Sequence, residues 1–281
     1  MDERTKTNYL MWNDIVDVHA RAESYNLEGF KRGENVLYSI ELDEVGDVRG
    51  KSLLHLQCHF GLDTMSWARL GAHVTGLDFS DKAIALARSL SRELKIPAKF
   101  VQASVYDAAT AVPGEFDIVF SSYGAITWLP ELRPWARAIA AKLKPGGFFY
   151  ICDMHPFASI FDNTEGVTDL KQQFSYFRKE TIVDPPGGTD YADRTYHGKH
   201  AGHEWIHTIS EIIDSLIEAG LRIDFFHEFP ACVWRCFPFA EPIDGAASDP
   251  QMSRYQAGRW WHVKNDPIPL LFSVRATAKR V

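Results

Sequence analysis

Strands and helices alternate regularly through the middle of this chain, and that alternation is the feature that most restricts its fold. Between residues 51 and 154, apolar runs of strand length are separated by stretches of helical periodicity. The strand segments read KSLLHLQC, HVTGLDF, AKFVQAS, FDIVFSS and FFYICDM. Because parallel strands need long crossover connections, this order predicts a mostly parallel sheet with helices on both faces.

The helices between these strands carry recognisable ends. Ser80 is placed to cap the helix predicted by SDKAIALARSLSRELKI, and Gly71 ends the helix before it. Alternation resumes at residue 207 with a helix that stops at Gly220, followed by the strands LRIDFFHEF and PLLFSVRATA. The sequence therefore predicts an α/β fold with a doubly wound, seven-stranded, Rossmann-like sheet, since right-handed crossovers restrict the topology.

Three regions are predicted within one domain. Residues 1–50 contain two amphipathic stretches, 8–25 and 34–48, and predict an N-terminal helical cap. Residues 51–153 and 207–281 predict the core. Residues 154–206 break the alternation, are polar and aromatic, and contain the loop signal DPPGGTD, so they predict an inserted substrate lid.

Composition excludes several classes of function. The net charge of −7 argues against a nucleic-acid partner, which lysine and arginine would have to attract. No apolar run approaches the length of a membrane span, and the first residues lack a signal-peptide pattern. Four irregularly spaced cysteines are typical of reduced thiols, so we expect a cytoplasmic protein. Cys232 and Cys236 lack a second pair, so no metal site is expected.

The first strand-to-helix turn is the predicted ligand site. In doubly wound sheets, ligands bind outside the carboxyl ends of the strands, and the turn here reads QCHFGLD at residues 57–63. Amides at the start of the following helix favour an anionic or hydroxyl-bearing group. Asp78 ends the second strand, where a carboxylate can accept both hydroxyl groups of a ribose. This combination favours a nucleoside site, although Asp78 could instead cap the next helix.

As an ordered set, the segments of residues 52–157 resemble the class I S-adenosylmethionine-dependent methyltransferases. The set includes LLHLQCHFGLDT, GAHVTGLDFS, FVQASVYD, FDIVFSSYGAITWLPEL and LKPGGFFYICDMHPF. Within that family, the sequence is similar to a bacterial branch that acts on small molecules. The resemblance implies S-adenosylmethionine as cofactor and a small-molecule methyl acceptor.

The resemblance assigns residues around the cofactor one by one. In the glycine-rich first motif, Cys58 and Gly61 match, whereas Gln57 and His59 replace glycines and His55 stands at an acidic position. Gln57 and His59 could supply side-chain hydrogen bonds to the cofactor or could point away from it. His55 is interpreted as a core or turn residue.

The other cofactor positions lie further along the chain. The resemblance implies that Asp78 holds the ribose, that Phe79 packs against adenine, and that Ser104 and Val105 lie near its amino group. Ser121 ends the fourth strand, where the family places cofactor and substrate contacts.

Methyl transfer from a sulfonium is an in-line displacement, so positioning supplies much of the catalysis. An oxygen or nitrogen acceptor must also lose a proton to a base. His155, two positions after the FFYICD run, is the favoured candidate base; His207 is the reserve, and Tyr123 lies at the crevice. Tyr25 and Trp12 could pack around the positive sulfonium, although aromatic residues in helices are more often core.

Other functions stay open at this level. A nicotinamide-dependent oxidoreductase would need G-x-G-x-x-G in the first turn, which this chain lacks. A non-catalytic adenosyl-binding protein would explain the missing glycines, and an RNA methyltransferase would need a basic surface. The sequence does not specify the methyl acceptor, the accepting atom or the oligomeric state.

Overall fold

A seven-stranded sheet lies at the centre of the computed structural model, which describes residues 2–243, 255, 259–265 and 267–279. The helices are α1 (Glu3–Arg21), α2 (Leu27–Lys31), α3 (Ser39–Val45), α4 (Leu62–Arg69), α5 (Asp81–Glu93), α6 (Ala108–Ala111), α7 (Leu132–Lys142) and α8 (Ile209–Glu218). The strands are β1 (Ser52–Leu56), β2 (His73–Asp78), β3 (Ala98–Gln102), β4 (Phe116–Ser122), β5 (Leu143–Met154), β6 (Ile182–Asp184), β7 (Gly202–Glu204), β8 (Leu221–Phe229), β9 (Ala231–Cys232), β10 (Glu241–Pro242), β11 (Trp261–His262) and β12 (Leu271–Ala278).

The order of the strands confirms the doubly wound topology. The sheet runs β3-β2-β1-β4-β5-β12-β8, and the pairs among the first five strands are parallel. β12 is antiparallel to both of its neighbours, β5 and β8. The chain winds outward from β1 in one direction and from β4 in the other. The crevice at the carboxyl ends of these two strands is therefore the topological switch point, where such sheets bind ligands.

Both faces of the sheet are covered by helices, as the sequence predicts. Consecutive residues of β1 point to opposite sides, so Leu53 packs in one buried cluster with Trp67 of α4, while Leu54 packs in another with Trp135 of α7. All four side chains are fully buried. The central strands β1 and β4 are buried along most of their length because neither face meets water.

The N-terminal region is helical, as predicted, but its helices have different bounds. α1 begins at Glu3, where the Asp2 side chain accepts a hydrogen bond from the Thr5 N–H. Of the second predicted stretch, 34–48, only Ser39–Val45 is α-helical. The Glu41 carboxylate accepts a hydrogen bond from the Tyr38 N–H at 2.6 Å, which fixes the start of that helix.

Residues 154–206, here called the insertion, are largely irregular and lie against α1. Their regular strands are β6 and β7, which form an antiparallel pair. The Asn8 side chain of α1 donates to the His203 carbonyl at 2.8 Å and accepts from the His203 N–H at 2.7 Å. Asp14 of α1 accepts from the Tyr196 hydroxyl and from the Lys199 ammonium. The insertion and α1 thus form one cover.

No helix in the described part of the chain has the length and apolar character needed to cross a membrane. The four cysteines, all among the described residues, are buried and form no disulfide. Burial raises the pKa of the Cys58 and Cys152 thiols, so both are protonated at neutral pH.

Candidate active site

The turn after β1 keeps the backbone of a glycine-rich loop without most of its glycines. Gln57, His59 and Gly61 have φ angles of 56°, 49° and 81°, all in the left-handed region. Such values are uncommon and strained for residues with a side chain, and they recur at functional sites. The three residues occupy alternate positions, the same positions at which the first motif of the resembled family carries glycine. The turn thus has the backbone of a glycine-rich loop with side chains at two of the three positions.

Gly61 is the position in this turn where a side chain is excluded. A Cβ atom there would lie 2.5 Å from Cε1 of Phe100 in β3. Its N–H donates to the Cys58 carbonyl at 2.9 Å, and it caps the N-terminus of α4. Close packing between the turn and β3 explains why this glycine remains.

Asp78 ties the ends of β1 and β2 together. Its two carboxylate oxygens accept hydrogen bonds from the His59 N–H and the Ser80 N–H, each at 2.8 Å. The side chain is buried, and burial raises the pKa of Asp78 to about 6. A carboxylate has about four lone-pair positions, so two remain for hydroxyl groups of a ligand.

The region assigned to adenine lies beneath α1. The ring of Tyr9 meets that of Phe79 edge to face at 6.0 Å, and the Tyr9 hydroxyl donates to Asp81 at 2.7 Å. Ser104 accepts from the Tyr106 N–H at 3.4 Å, and Val105 is buried. Phe79 follows β2, and Ser104 and Val105 follow β3, so the fold brings all three to the carboxyl ends of the strands, where Asp78 also lies.

Two buried acceptors in this region lack a donor among the described residues. Gln57 Nε2 donates to the Ala125 carbonyl at 2.7 Å, which fixes the orientation of the amide and leaves Oε1 without a partner. Ser121 Oγ, fully buried at the end of β4, is also unpartnered. Buried polar atoms are rarely left unsatisfied in native proteins, so these two are candidates for contact with a bound ligand.

Tyr123 takes part in a buried network that the sequence did not reveal. Its hydroxyl donates to Glu41 of α3 at 2.5 Å, and burial raises the pKa of Glu41 to about 8. Nearby, the Ser122 hydroxyl donates to Asp63 at 2.9 Å, and burial raises the pKa of Asp63. The Tyr123 hydroxyl is thus engaged by Glu41 in this structure.

The two candidate bases, His155 and His207, differ in the hydrogen-bond partners of their ring nitrogens. Nδ1 of His155 accepts from the Phe157 N–H at 3.1 Å, so the lone pair of its neutral ring is occupied; Nε2 lies 3.1 Å from the Glu228 carboxylate but makes no hydrogen bond. Nε2 of His207 donates to the Leu129 carbonyl at 2.7 Å. Its Nδ1 has no hydrogen-bond partner among the residues described. Burial lowers the pKa of both imidazoles, so both are neutral at pH 7.

A cluster of aromatic and imidazole rings covers the first turn. Trp12 contacts His59, His19 and Trp128 edge to face at centroid distances of 5.2–5.8 Å. Tyr25 stacks on His19 at 4.9 Å. The fold thus brings the predicted residues Trp12 and Tyr25 to His59, and it joins them to His19.

His19 and Asp190 are the main residues that the sequence analysis missed. His19 is fully buried, and its Nε2 lies 3.1 Å from the Asp190 carboxylate of the insertion. Its other nitrogen faces the Tyr25 hydroxyl at 2.9 Å and His59 Nε2 at 3.1 Å. One signal was available, because His19 follows Trp12 by two helical turns and Ile15 by one, and so lies on the buried stripe of α1.

Comparison with known proteins agrees with this geometry. Residues 53–147 match the family model described as a methyltransferase domain. This stretch of the chain is therefore similar to methyltransferase domains. The matched region contains the first turn, Asp78 and the end of β4, which are the parts of the fold that meet at the crevice.

Curated proteins similar to this chain include ubiquinone biosynthesis O-methyltransferases. The protein from Sodalis glossinidius is 32% identical over 151 residues, which is 51% of this chain and 60% of that protein. The protein from Aeromonas salmonicida is 31% identical over 109 residues, covering 39% and 45% respectively. The chain spans about half the length of the curated relatives it matches.

Solved methyltransferase structures share the whole architecture. An S-adenosylmethionine-dependent methyltransferase from Mesorhizobium loti covers 88% of this chain and 99% of its own, with a TM-score of 0.55 and 19% identity. The glycopeptide N-methyltransferase MtfA, solved with S-adenosylmethionine, covers 86% of this chain and 87% of its own, with a TM-score of 0.53 and 18% identity. At these identities the likeness establishes the fold.

Proposed function

We propose that this protein transfers the methyl group of S-adenosylmethionine to a small-molecule acceptor, at oxygen or nitrogen. The observation that carries the proposal is the first turn. Its three motif positions keep left-handed backbone although two have lost glycine, and Asp78 fixes the turn through the His59 amide. Strain of this kind is maintained where a ligand site needs it.

The residues present fit the cofactor. Asp78 retains lone pairs for ribose hydroxyls, Phe79 offers an apolar face for adenine, and Ser104 and Val105 lie beside it at the end of β3. The unpartnered Gln57 Oε1 and Ser121 Oγ supply two further polar contacts. When bound, S-adenosylmethionine supplies an electrophilic methyl group on a sulfonium; the protein's own task is to hold and desolvate the reactants.

The acceptor is proposed to bind at the crevice, beneath the cover that α1 and the insertion form. The curated relatives are O-methyltransferases and MtfA is a glycopeptide N-methyltransferase, which supports oxygen or nitrogen as the accepting atom. Both kinds of acceptor carry a proton that must be removed. Of the candidates, His207 keeps an unpartnered Nδ1 and a pKa lowered by burial, so we favour it over His155 as the base.

The decisive experiment combines binding with turnover. Calorimetry on the purified chain would use S-adenosylmethionine, S-adenosylhomocysteine and NADH, and transfer would be followed from methyl-labelled cofactor to a metabolite extract and to RNA. We expect both adenosyl compounds to bind, NADH not to bind, and label to enter small molecules. Label in RNA would indicate an RNA methyltransferase, and binding without any transfer would indicate a non-catalytic adenosyl-binding protein. Binding of NADH alone would indicate a nicotinamide-dependent oxidoreductase.

The base assignment has its own test once an acceptor is found. His207→Ala should lower kcat by about 10² to 10⁴, the usual contribution of a general base, while the affinity for S-adenosylhomocysteine stays within about twofold. His155→Ala is the matched comparison and should keep most of the turnover. The reverse ranking would return the role to His155.

We also propose a cytoplasmic location and no nucleic-acid partner. The four unbonded thiols support a reducing compartment, and the net charge of −7 supports the second point.

A further inference from the structure

One buried carboxylate, that of Asp153, holds the loop that follows β4. This loop comprises residues 123–129 and is called the β4 loop below. Asp153 lies near the end of β5 and is 1% exposed. Its Oδ2 accepts hydrogen bonds from the N–H groups of Ala125 and Ile126 at 2.9 and 3.0 Å, and its Oδ1 accepts from the Gly124 N–H. Three successive amides of the loop therefore converge on a single side chain, as they do on a bound anion.

The conformation of the β4 loop depends on this partner. Tyr123 and Gly124 both have left-handed backbone, with φ angles of 33° and 79°, and this region is unfavourable for a residue with a side chain such as tyrosine. Ala125 and Ile126 are buried, so their amides need an acceptor within the protein. The Asp153 carboxylate supplies that acceptor, and its hydrogen bonds offset the cost of the left-handed turn.

The β4 loop in turn holds the histidine that we favour as the base. The Leu129 carbonyl, at the end of the loop, accepts a hydrogen bond from Nε2 of His207 at 2.7 Å. The Thr127 carbonyl accepts from the N–H of Trp205, two residues before His207, at 2.8 Å. Asp153 and His207 also line one cavity of about 20 Å³, so the carboxylate and the imidazole are close together. The loop is therefore a short backbone connection between them.

The contacts of the β4 loop reach the cofactor side of the crevice at one point. The Ala125 carbonyl accepts from Gln57 Nε2 at 2.7 Å. The Asp78 carboxylate, by contrast, is bonded to the amides of His59 and Ser80, which lie outside the loop. A displacement of the loop should therefore disturb His207 more than it disturbs the predicted ribose contact.

We propose that Asp153 is a positioning residue for methyl transfer, which fixes the β4 loop and, through the Leu129 carbonyl, the direction in which His207 presents Nδ1 to the acceptor. The inference rests on the proposed function. Asp153 is not itself the base, because the Met154 N–H is a fourth donor to its carboxylate and the four lone-pair positions are then occupied. Its contribution is geometric, and misplacement of a reacting group by about 1 Å can lower turnover about a hundredfold.

The test compares Asp153→Asn with Asp117→Asn in the full chain. Asp117 lies near the amino end of β4, away from the crevice, and its carboxylate likewise accepts from a backbone amide, that of Ser52, at 2.8 Å. An asparagine at 153 keeps one acceptor oxygen but directs an NH₂ group at two of the amides, so the β4 loop should shift. The readout is the pH titration of the His207 ring, followed by ¹H–¹³C NMR and assigned by the loss of its signal in His207→Gln.

Burial lowers the pKa of His207, so release of its ring should raise that pKa toward the ordinary histidine value of about 6.5. We expect this rise in Asp153→Asn and no change in Asp117→Asn. Gly124→Val displaces the loop by a second route and serves if Asp153→Asn does not fold, because a β-branched residue strongly disfavours a φ of 79°, and its Cβ would meet nothing within 4 Å. An unchanged pKa of His207 in the folded loop variants, or an equal rise in Asp117→Asn, would overturn the inference.

Kinetics supply a second readout once an acceptor is known. In Asp153→Asn, kcat should fall about a hundredfold. The affinity for S-adenosylhomocysteine, measured by calorimetry, should fall no more than about tenfold, the usual value of one neutral hydrogen bond. Equal losses of kcat and affinity would indicate general structural damage and would overturn the inference. If the unaltered protein transfers no methyl group, the proposed function fails, whereas the titration of His207 still reports whether Asp153 positions its ring.

Discussion

The ionisation of Asp78 should control cofactor affinity, and the size of the change in affinity with pH follows from the structure. Burial raises the pKa of Asp78 to about 6, and the carboxylate already accepts two backbone hydrogen bonds. The ionised carboxylate is the stronger acceptor for ribose hydroxyls, because protonation removes its charge and turns one oxygen into a donor, so affinity should level off above about pH 7 and fall below pH 6. If the protonated form does not bind, each pH unit below 6 weakens binding about tenfold, equivalent to about 1.4 kcal/mol.

The assay is calorimetric titration of S-adenosylhomocysteine between pH 5 and pH 8. The unaltered protein should bind about tenfold more weakly at pH 5 than at its plateau. Asp78→Ala should bind at least about tenfold more weakly at pH 8, with little dependence on pH, because one charged hydrogen-bond partner contributes about 1.5–3 kcal/mol. A flat profile for the unaltered protein would refute the reasoning.

A control must separate binding from stability, because Asp78→Ala also leaves the His59 and Ser80 amides without an acceptor. Each such buried amide costs about 1–3 kcal/mol. Asp117 is the matched residue near the amino end of β4, away from the crevice, where it accepts the Ser52 N–H at 2.8 Å. Asp117→Ala should lower the urea midpoint and leave the affinity for S-adenosylhomocysteine unchanged. Loss of affinity in both variants would mean that instability, not the ribose contact, is being measured.

Three further outcomes are expected. The pKa of Glu41 is about 8 in the folded protein and 4.5 in the unfolded chain, so the unfolded state loses a proton that the folded state keeps, and the free energy of unfolding should fall as pH rises from about 4.5 to 8. In urea unfolding, Glu41→Gln should flatten this pH dependence, and an unchanged dependence would contradict the assignment to Glu41. Gly61→Ala should lower the free energy of unfolding by about 2 kcal/mol or more, because its Cβ would lie 2.5 Å from Phe100, and adding Phe100→Leu should restore part of that stability. An alanine variant with unaltered stability would contradict the close contact. Asn8→Ala should speed hydrogen exchange of the amides of residues 202–204 while the amides of β1 stay protected. Exchange at 202–204 that is as slow as in the unaltered protein would show that Asn8 does not hold the insertion.

Local patterns were sufficient for the main sheet. Each strand and its following helix carry their own periodicity, and caps such as Ser80 act within four residues, where its hydroxyl accepts from the Ala83 N–H at 3.0 Å. The order of these units then leaves few topologies, because crossovers are right-handed. For the same reason the sequence predicts a ligand site at the carboxyl ends of the strands, which lies within the region that matches a methyltransferase domain.

The N-terminal region was predicted less well, because its helix bounds depend on contacts rather than on periodicity. A single helical stretch was expected over 34–48, but the chain is helical only from Ser39 to Val45. Val36 and Leu37 are instead held by Arg259, whose guanidinium donates to the carbonyl of Val36 at 3.0 Å. A partner more than two hundred residues away leaves no local signal.

What the sequence by itself determined is the α/β sheet, the crevice and the identity of the turn that faces it, since all three follow from short-range periodicity and motif order. The tertiary structure alone decided which side chains complete the site. Asp190 and His19 are 171 positions apart and meet only because α1 and the insertion pack together over the first turn. His59 is the clearest case: the sequence shows a histidine where a glycine is expected, and only the tertiary structure shows that its ring contacts His19 and that its backbone N–H donates to Asp78.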